Sequence, residues 1–325
     1  MTPLERALRE RIAAEGPISV ETYMEACNAY YYATRDPFGA SGDFTTAPEV
    51  SQMFGEMVGA VLADCWRRAG APSDAIYVEL GPGRGTLASD ALRVMRGAGF
   101  GGEVHFVETS PVLREAQRVA APNASWHEAI DDLPAKPLLL VANEFLDALP
   151  IRQHVGPLER HVLVAAGGLA FDRDGEIVES SPARDEAVAS IATCIEAKGG
   201  VAIFIDYGHE RSGSGDTLQA VRSHGYAPVL TNPGEQDLTS HVDFEALERA
   251  ARRAGAKVSS TVPQGEWLIR VGIEARAQSL SRANPERASE IRGALERLTS
   301  RSEMGTLFKV IALLGSDWSM AAGLS

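Results

Sequence analysis

A carboxylate stands two residues before a cluster of three glycines in the stretch VELGPGRGTLASD, which runs from residue 78 to residue 90. The carboxylate is Glu79, and the glycines are Gly81, Gly83 and Gly85. Glycine clusters mark turns that a cofactor approaches closely, because the backbone meets the ligand where side chains are missing. The stretch therefore predicts a cofactor-binding loop, and the residues around the glycines must indicate which cofactor it holds.

Two common nucleotide cofactors fit this loop poorly. A nucleoside triphosphate loop has the pattern G-x-x-x-x-G-K-[ST], whereas here Thr86 follows Gly85 and no lysine is present to reach a phosphate. A dinucleotide loop has G-x-G-x-x-G, and the spacing G-x-G-x-G found here does not by itself exclude it. The carboxylate of Glu79 is stronger evidence against a dinucleotide, because it would face the negatively charged pyrophosphate at the helix N-terminus. A carboxylate there suits a cofactor that carries an ammonium and a sulfonium.

A second carboxylate, Glu108, ends the next predicted strand, 29 residues after Glu79 (108 minus 79). An acidic side chain at that position can accept hydrogen bonds from both hydroxyls of a ribose. Dinucleotide and S-adenosyl cofactors both use this device. Glu108 therefore indicates an adenosine moiety without deciding between the two classes.

Alternating strands and helices must position these residues. Apolar runs of strand type alternate with helical patterns from about residue 75 to 137, which is typical of a parallel α/β sheet. The predicted strands are 75–80, 103–108, 124–128, 137–144, 201–208, 256–262 and 306–315, and the predicted helices are 86–99, 110–119, 182–200 and 242–255. We expect Ser110 and Asp243 to cap the helices that follow them. Three successive strand–helix steps predict a doubly wound sheet.

Two regions depart from this alternation. Residues 1–70 are predicted to form two or three helices around a polar, aromatic segment, as a lid or a partner domain, and residues 71–325 form the cofactor domain. Within that segment, Thr46 and Glu49 predict a capping box. Residues 151–172 carry Gly-Pro and Gly-Gly turns without helical spacing, which predicts an antiparallel meander inserted on the sheet.

Composition narrows the class of protein. The 325 residues include 31 basic and 44 acidic side chains, a net charge of −13 that disfavours nucleic acid as a partner. The three cysteines form no C-x-x-C pair, and no histidines stand at metal-ligand spacing, so no metal site is expected. The sequence starts with a charged helical pattern and has no apolar run of about 18 residues. A cytoplasmic protein without membrane insertion is predicted, and the oligomeric state is not indicated.

Seven motifs in matching order, between about residues 19 and 314, resemble the MidA-like family of class I S-adenosylmethionine-dependent methyltransferases. They are GDFTTAPEVSQMFGE (42–56), GPGRGTL (81–87), ANEFLDALP (142–150), IDYG (205–208), GDTLQA (215–220), DLTSHVDF (237–244) and MGTLFKV (304–310). The resemblance implies a Rossmann-like class I methyltransferase sheet, S-adenosylmethionine as cofactor and a protein substrate. The mitochondrial member of this family, a protein of the matrix, methylates an arginine on a subunit of respiratory complex I and assists its assembly.

This resemblance implies roles for residues around the sheet. The cofactor-binding residues are expected to be Glu79, Gly81, Pro82, Gly83, Gly85, Thr86, Glu108 and Asn143, with Trp126 or His127 beside the adenine. Asn143 and Glu144 follow the fourth strand, where open α/β sheets carry their sites, and would point toward the methyl donor. Glu144, with Asp147, could grip a guanidinium in a bidentate manner and align one nitrogen. The alternative is that both acids merely cap the next short helix.

Other residues are expected to form the substrate cleft. Gly42, Asp43, Phe44 and Thr45 precede the nucleotide fold and are predicted to close over the site as a lid. Asp206 and Tyr207 lie at the end of another buried predicted strand and are expected to line the cleft. His241 is a candidate general base, although arginine methylation has little need of one when carboxylates orient the nitrogen. Two other functions remain beside the methyltransferase: an assembly factor that binds S-adenosylmethionine without catalysis, and an NAD-dependent oxidoreductase, which Glu79 disfavours.

Overall fold

The computed structural model describes residues 1–34, 46–222 and 225–324. Its helices, in chain order, are α1 (Pro3–Glu15), α2 (Val20–Thr34), α3 (Ala47–Val50), α4 (Gln52–Arg68), α5 (Thr86–Gly97), α6 (Pro111–Ala120), α7 (Pro182–Lys198), α8 (Phe244–Arg253), α9 (Gln264–Arg270), α10 (Ile273–Ala283), α11 (Ala288–Thr299) and α12 (Met304–Leu307). Its strands are β1 (Ile18–Ser19), β2 (Ile76–Leu80), β3 (Val104–Val107), β4 (Ser125–His127), β5 (Leu138–Asn143), β6 (Arg152–Val155), β7 (Leu158–Glu159), β8 (His161–Ala165), β9 (Gly168–Phe171), β10 (Ile177–Ser180), β11 (Gly200–His209), β12 (Gln219–Arg222), β13 (Gly225–Ala227), β14 (Asp237–Thr239), β15 (Val242–Asp243), β16 (Lys257–Val258), β17 (Val262–Pro263) and β18 (Phe308–Leu314).

The main sheet has the strand order β16-β18-β11-β5-β2-β3-β4. Strands β11, β5, β2, β3 and β4 are parallel, and β18 is antiparallel to β11. The predicted doubly wound α/β sheet is therefore confirmed. From β2 the chain builds outward to β3 and β4, and then returns to add β5 and β11 on the other side. The crevice at the carboxyl ends of β2 and β5 is the place where such sheets bind ligands.

The central strands are buried on both faces. Every residue of β2, β5 and β18 is buried, which explains why their sequences are nearly continuous apolar runs rather than alternating ones. Helices α4 and α5 pack in the core on one face of the sheet, and α7 and α8 pack in the core on the other. Gly59 lets α4 approach α5 closely, since a Cβ there would lie 2.5 Å from the backbone oxygen of Ala91.

An ion-pair cluster ties α4 to two other helices. The side chain of Glu56 is 3% exposed and binds Arg93 of α5 at 2.8 Å and Arg276 of α10 at 2.6 Å. Burial alone would raise the pKa of Glu56, but hydrogen bonds from Arg276 and then from Arg93 outweigh it and lower this pKa. The cluster therefore ties α4 to α5 and α10 through a charged carboxylate.

Local helix signals are confirmed at two positions and wrong at a third. The hydroxyl of Ser110 accepts from the Leu113 amide, and the carboxylate of Asp243 accepts from the Ala246 amide. Thr46 is the N-cap of α3, but the Glu49 amide binds its carbonyl oxygen at 3.0 Å, and in the described part of the chain its hydroxyl makes no capping bond. Helix α3 lasts a single turn, and Ser51 starts α4 with a cap of its own, so the predicted capping box is not formed.

The antiparallel strands expected between residues 151 and 172 are present, but the expected single meander on the main sheet is wrong. Strands β6 and β7 pair with β10, whereas β8 and β9 pair with β1 near the N-terminus, which gives two separate small sheets. The chain passes from one sheet to the other at Arg160. This arginine is buried, and its guanidinium binds Gln153 Oε1 and Asp216, so it stabilises the crossing.

The segment between the predicted strand at 256–262 and the last predicted strand is helical. Helices α9, α10 and α11 were not predicted, and together they cover the α4 side of the sheet. The final strand begins at Phe308 rather than at Thr306, because residues 304–307 form the short helix α12. Within the described ranges no helix combines the length and the apolar character needed to cross a membrane.

Candidate active site

Two adjoining cavities lie at the carboxyl ends of the central strands. The first, of about 390 Å³, is lined by several carboxylates, and we call it the acidic cavity. The second, of about 690 Å³, is lined mainly by apolar atoms, and we call it the apolar cavity. Tyr32, Gly81, Gly83 and Glu144 line both. These four residues therefore mark the junction between the two cavities.

The glycine loop between β2 and α5 takes a conformation that favours glycine at each of its three positions. The φ angles of Gly81, Gly83 and Gly85 are +58°, +54° and +83°, all in the left-handed region. A Cβ on Gly85 would also lie 2.8 Å from Ala120 Cβ. The side-chain Nε2 of Gln117 donates to the Gly83 carbonyl oxygen at 2.8 Å and fixes the loop. The loop thus exposes backbone to both cavities, as a cofactor cradle must.

Glu79 lies at the end of β2 and lines the acidic cavity together with Pro82 and Thr86 of the loop. It is 3% exposed, and its Oε2 atom accepts a hydrogen bond of 2.6 Å from the Tyr77 hydroxyl. Burial raises the pKa of Glu79 to about 8, although the Tyr77 bond acts in the opposite direction. A cation beside this carboxylate would restore its charged form.

Glu108 lies at the end of β3 and lines the apolar cavity. Its carboxylate accepts from the Ser110 amide at 2.7 Å and from Gln117 Nε2 at 3.1 Å. Burial raises the pKa of Glu108, against the effect of these hydrogen bonds. Glu79 therefore faces the acidic cavity and Glu108 faces the apolar cavity, and the glycine loop lies between these two carboxylates.

Trp126 and His127 do not line either cavity. The indole of Trp126 donates to Gln117 Oε1 at 2.8 Å, and the His127 ring lies 2.9 Å from the ring of His105. Residues 128–130, just beyond them, line the apolar cavity instead. A direct contact of Trp126 or His127 with a ligand stays a prediction.

Glu144 follows β5 in a strained backbone conformation. Its φ of +50° lies in the left-handed region, which a residue with a side chain rarely adopts and which recurs at functional sites. Its Oε1 atom accepts from the Ala47 amide at 3.3 Å and from Asn143 Nδ2 at 3.1 Å. Burial first, and then the neighbouring Asp147, raise the pKa of Glu144 to about 8. The strained turn aims this carboxylate at the junction of the cavities.

Two acceptor oxygens in the acidic cavity lack donors. Asn143 Oδ1 and Asp147 Oδ1 are buried and accept no hydrogen bond from the described residues. Burial raises the pKa of Asp147, and a hydrogen bond from Tyr207 partly offsets that effect. Because buried acceptors are costly when left without donors, this cavity suits a ligand that brings several N–H groups.

Asp206 supports the site from beneath rather than lining it. Its carboxylate accepts from the backbone amides of Leu146, Asp147 and Tyr207 at 3.0, 3.2 and 2.9 Å. Burial and the charge of Asp147 raise the pKa of Asp206. Asp206 therefore fixes the segment that carries Asp147, whereas its neighbour Tyr207 reaches the cavity itself.

Arg184 of α7 holds the other side of the same segment, a role that was not predicted from the sequence. Its buried guanidinium donates to the carbonyl oxygens of Leu146, Asp147, Ser240 and His241 and to the Ser240 hydroxyl, at 2.6 to 3.1 Å. It thus joins the segment after β5 to the segment after β14. Burial lowers the pKa of Arg184, and the nearby Asp206 and Asp147 oppose that shift.

His241 closes one end of the acidic cavity. Its ring packs edge-on against Tyr207, with ring centroids 5.6 Å apart. Burial, followed by the charges of His209, Lys309 and Arg184, lowers the pKa of His241, which keeps the ring neutral near pH 7. The proposed lid residues Gly42, Asp43, Phe44 and Thr45 fall outside the described residues. Their neighbours Thr46 and Glu49 line the acidic cavity.

The two cavities together fit a ligand with a cationic end and an adenosine end. Glu79 provides a carboxylate for the cation, Glu108 provides one for ribose hydroxyls, and the glycine backbone passes between them. A pyrophosphate would face Glu79 and is disfavoured. No group of three or more His, Cys, Asp or Glu side chains in the described ranges is placed to hold a metal ion.

Comparisons with known proteins agree with this fit. A family model described as "Putative S-adenosyl-L-methionine-dependent methyltransferase" matches residues 57–167 and 155–262. The chain is 36% identical over 371 aligned positions to the mitochondrial protein arginine methyltransferase NDUFAF7 homolog of Drosophila melanogaster, covering 95% of this chain and 84% of that protein. It is 31% identical over 373 positions to the mitochondrial protein arginine methyltransferase NDUFAF7 of Homo sapiens, covering 97% and 84%.

Solved structures extend the comparison to the whole fold. A superfamily member from Burkholderia thailandensis, solved with bound S-adenosyl-homocysteine, superposes with a TM-score of 0.85 at 26% identity and covers 99% of this chain and 94% of that one. A second structure from the same organism gives a TM-score of 0.83 at 28% identity, with 99% and 93% covered.

Proposed function

The chain belongs to this family of S-adenosyl-L-methionine-dependent methyltransferases and uses that cofactor, and from this premise we propose that it methylates an arginine side chain of a partner protein. The observation that carries the proposal is the acidic cavity next to the cofactor loop. Glu144, Asp147 and Asp237 bring carboxylates to it, and Asn143 adds a buried acceptor oxygen. A guanidinium carries a positive charge and five N–H donors, which is the complement of that set.

In this proposal, the two ends of the cofactor occupy different cavities. Glu79 and the backbone of Gly81 and Gly83 bind the methionyl part, and Glu108 binds the ribose in the apolar cavity. When bound, S-adenosylmethionine supplies a methyl group on a sulfonium. The junction residues then lie between the donor and the acceptor side chain.

Glu144 has two tasks in this proposal. Its carboxylate binds the guanidinium and holds one nitrogen in line with the methyl group, with Asp147 fixing the other edge. Methylation of a guanidinium nitrogen forms an N–C bond, breaks the S–C bond and releases one proton from that nitrogen. A carboxylate with a pKa of about 8 in the free protein is basic enough to accept this proton at Oε1 or Oε2.

The protein partner is the next part of the proposal. Two relatives at 36% and 31% identity are named mitochondrial protein arginine methyltransferases. Their similarity to this chain and the motif resemblance lead us to propose a respiratory complex I subunit as the substrate. A role as an assembly factor that binds S-adenosylmethionine without catalysis is the competing function.

Replacement of Glu144 by glutamine tests the catalytic proposal. Glu144→Gln keeps the shape but removes both the negative charge and the proton acceptor, so we expect turnover to fall at least about 100-fold. The dissociation constant of S-adenosyl-homocysteine, measured by calorimetry, is expected to stay within about threefold, because the cofactor carboxylates remain. Glu115→Gln, an exposed change on α6, serves as the matched control and is expected to leave both quantities unchanged.

Mass spectrometry of methylated residues separates the two functions. Cells with the wild-type gene should contain a methylarginine that is missing in cells without the gene and in cells with Glu144→Gln. Unchanged turnover in Glu144→Gln contradicts the role of this residue. The same unmodified arginines in all three strains favour the non-catalytic assembly factor.

A further inference from the structure

A small antiparallel sheet forms one wall of the acidic cavity. It has the strand order β13-β12-β14, and we call it the side sheet. Residues that share one face of the side sheet line the cavity: Gln219, Val221, Tyr226, Asp237 and Thr239. Because alternate residues of a strand point to the same face, this wall follows directly from the register of the three strands.

Three of these residues form a straight row across the side sheet. Val221 of β12 pairs with Tyr226 of β13 on one side and with Asp237 of β14 on the other. Two strand spacings separate the ends of the row, a distance of about 10 Å. Tyr226 at the outer end is 83% exposed, whereas Asp237 at the inner end is 4% exposed. The row therefore leads from an exposed aromatic ring, past an apolar side chain, to a buried carboxylate.

The inner end of the row is built around a fixed carboxylate. Tyr32 of α2, one of the junction residues, donates its hydroxyl to Asp237 Oδ1 at 2.8 Å. Asp237 and Glu144 both line the acidic cavity, and the charge of Asp237 contributes, after burial and Asp147, to the raised pKa of Glu144. Two carboxylates from different elements thus line the acidic cavity, Glu144 at the junction and Asp237 bound to the junction residue Tyr32.

We propose that the row of Tyr226, Val221 and Asp237 is the binding slot for the target side chain. Asp237 joins Glu144 and Asp147 in binding the guanidinium. Val221 packs against the methylene stem, and Tyr226 contacts the polypeptide that carries the arginine. Only arginine and lysine place a cation on a stem of three or four methylene groups, and a planar fork suits two carboxylates better than an ammonium does.

The exposed end of the slot indicates a polypeptide rather than free arginine as the ligand. Leu307, which is 47% exposed, lines the mouth of the same cavity as Tyr226. Large exposed apolar side chains at the entrance of a charged cavity provide contacts for residues on either side of the target. The slot thus selects an arginine that has apolar neighbours. This inference deepens the proposed function and relies on it only for the reaction that follows binding.

Calorimetric titration of the protein saturated with S-adenosyl-homocysteine tests the inner end of the slot. The probe is Nα-acetyl-arginine amide, and the neutral citrulline analogue measures the contribution of the charge. We expect the arginine probe to bind, the citrulline analogue to bind at least tenfold more weakly, and Asp237→Asn to weaken the arginine probe at least tenfold. Asparagine keeps an oxygen that can accept from Tyr32, and unchanged affinity for S-adenosyl-homocysteine verifies that the variant is folded.

The outer end is tested with the tripeptide acetyl-Leu-Arg-Leu amide. Tyr226→Ser is expected to weaken this peptide at least threefold and to leave the single-residue probe nearly unchanged. Leu158→Ser, which removes a 58% exposed apolar side chain from β7, is the matched control and should change neither affinity. Equal affinities of the wild type and Asp237→Asn for the arginine probe, or no binding to the wild type, would overturn the slot.

These titrations involve no methyl transfer, so the two proposals can fail separately. If the arginine probe binds as expected but cells contain no methylarginine that depends on the gene, the proposed function fails and the slot stands. If gene-dependent methylarginine forms while Asp237→Asn binds the probe normally, the slot fails and the proposed function stands.

Discussion

At the scale of single residues, Glu79 connects the electrostatics of the free protein to cofactor binding. Burial raises its pKa to about 8, so the free protein at pH 7 holds this carboxyl group mainly in the protonated form. Because the folded pKa lies above the ordinary value of 4.5, Glu79 reduces the stability of the free protein as the pH rises from about 4.5 through 8. A bound ammonium reverses this preference, since it stabilises the carboxylate.

Proton release on ligand binding is therefore expected at neutral pH. The amino-acid part of S-adenosyl-homocysteine carries an ammonium, and binding at pH 7 should release roughly one proton for each ligand bound, because Glu79 becomes ionised. Calorimetry in buffers of different ionisation enthalpy measures the number of protons released.

Glu79→Gln should abolish the proton release and weaken binding of S-adenosyl-homocysteine at least tenfold. The matched control Glu115→Gln, at an exposed position, should behave like the wild type. Equal proton release at pH 7 and at pH 9.5 would contradict the assignment, since Glu79 is already ionised at the higher pH.

Glu144 shows a different relation between sequence and function. A glutamate with φ of +50° is invisible in the sequence, because nothing in the letters NEFLD distinguishes a strained turn from a helix cap. The sequence predicted the location of Glu144 at a carboxyl end of the sheet. The three-dimensional structure was needed to place its carboxylate between two cavities.

At the scale of elements, helix α7 and strand β11 together position the segment after β5. The guanidinium of Arg184 satisfies carbonyl oxygens of that segment, and the carboxylate of Asp206 in β11 satisfies its amides. The segment that carries Asp147 is therefore bound through both kinds of backbone group. Its conformation depends on two elements that are distant from it in the sequence.

Arg184→Lys tests this support. An ammonium has three donors and no planar fork, so it leaves buried carbonyl oxygens without partners, and the free energy of unfolding should fall by about 2–4 kcal/mol. Turnover, measured at a temperature where the variant is fully folded, should fall at least tenfold, because the segment with Asp147 loses its position. The affinity for S-adenosyl-homocysteine should change less than threefold.

The matched control for this variant is Arg253→Lys on α8. The side chain of Arg253 is 67% exposed, and its only ion pair in the described part of the chain is a 3.8 Å contact with Asp185. Replacement there should change the free energy of unfolding by less than about 0.5 kcal/mol. A similar small effect at Arg184 would show that the buried hydrogen bonds do not support the site.

Elements defined by local signals were predictable from the sequence. The strand and helix runs around the glycine loop and the caps at Ser110 and Asp243 depend on residues within a few positions of one another.

The side sheet was not predictable from such local signals. Its row joins Tyr226 and Val221, which are neighbours across a hairpin, to Asp237, and the pairing of β12 with β14 is fixed by tertiary packing. The division of residues 151–172 between two sheets depends on β1 and β10 in the same manner.

At the scale of the whole molecule, helix α2 connects three parts of the chain around the active site. Asn28 Nδ2 donates to the carbonyl oxygens of Ala148 at 2.9 Å and Leu238 at 2.8 Å, and Asn28 Oδ1 accepts from the Leu238 amide at 3.2 Å. Farther along the helix, the carbonyl oxygen of Tyr32 accepts from the Ser110 hydroxyl at 2.7 Å. Helix α2 therefore holds the segment after β5, the side sheet and the start of α6 in one arrangement.

Asn28→Ala should loosen this arrangement as a whole. The change leaves the buried carbonyl oxygen and amide of Leu238 and the part-buried carbonyl oxygen of Ala148 without their side-chain partner, so the free energy of unfolding in urea should fall by about 2–4 kcal/mol with an unchanged slope against denaturant. Because Tyr32 lines both cavities, the affinities for S-adenosyl-homocysteine and for Nα-acetyl-arginine amide should fall together, each by at least threefold.

The control is Asn123→Ala, at an exposed asparagine. It should change the free energy of unfolding by less than about 0.5 kcal/mol and should leave both affinities unchanged. Loss of only one affinity in Asn28→Ala would show that the two cavities are held independently rather than by α2.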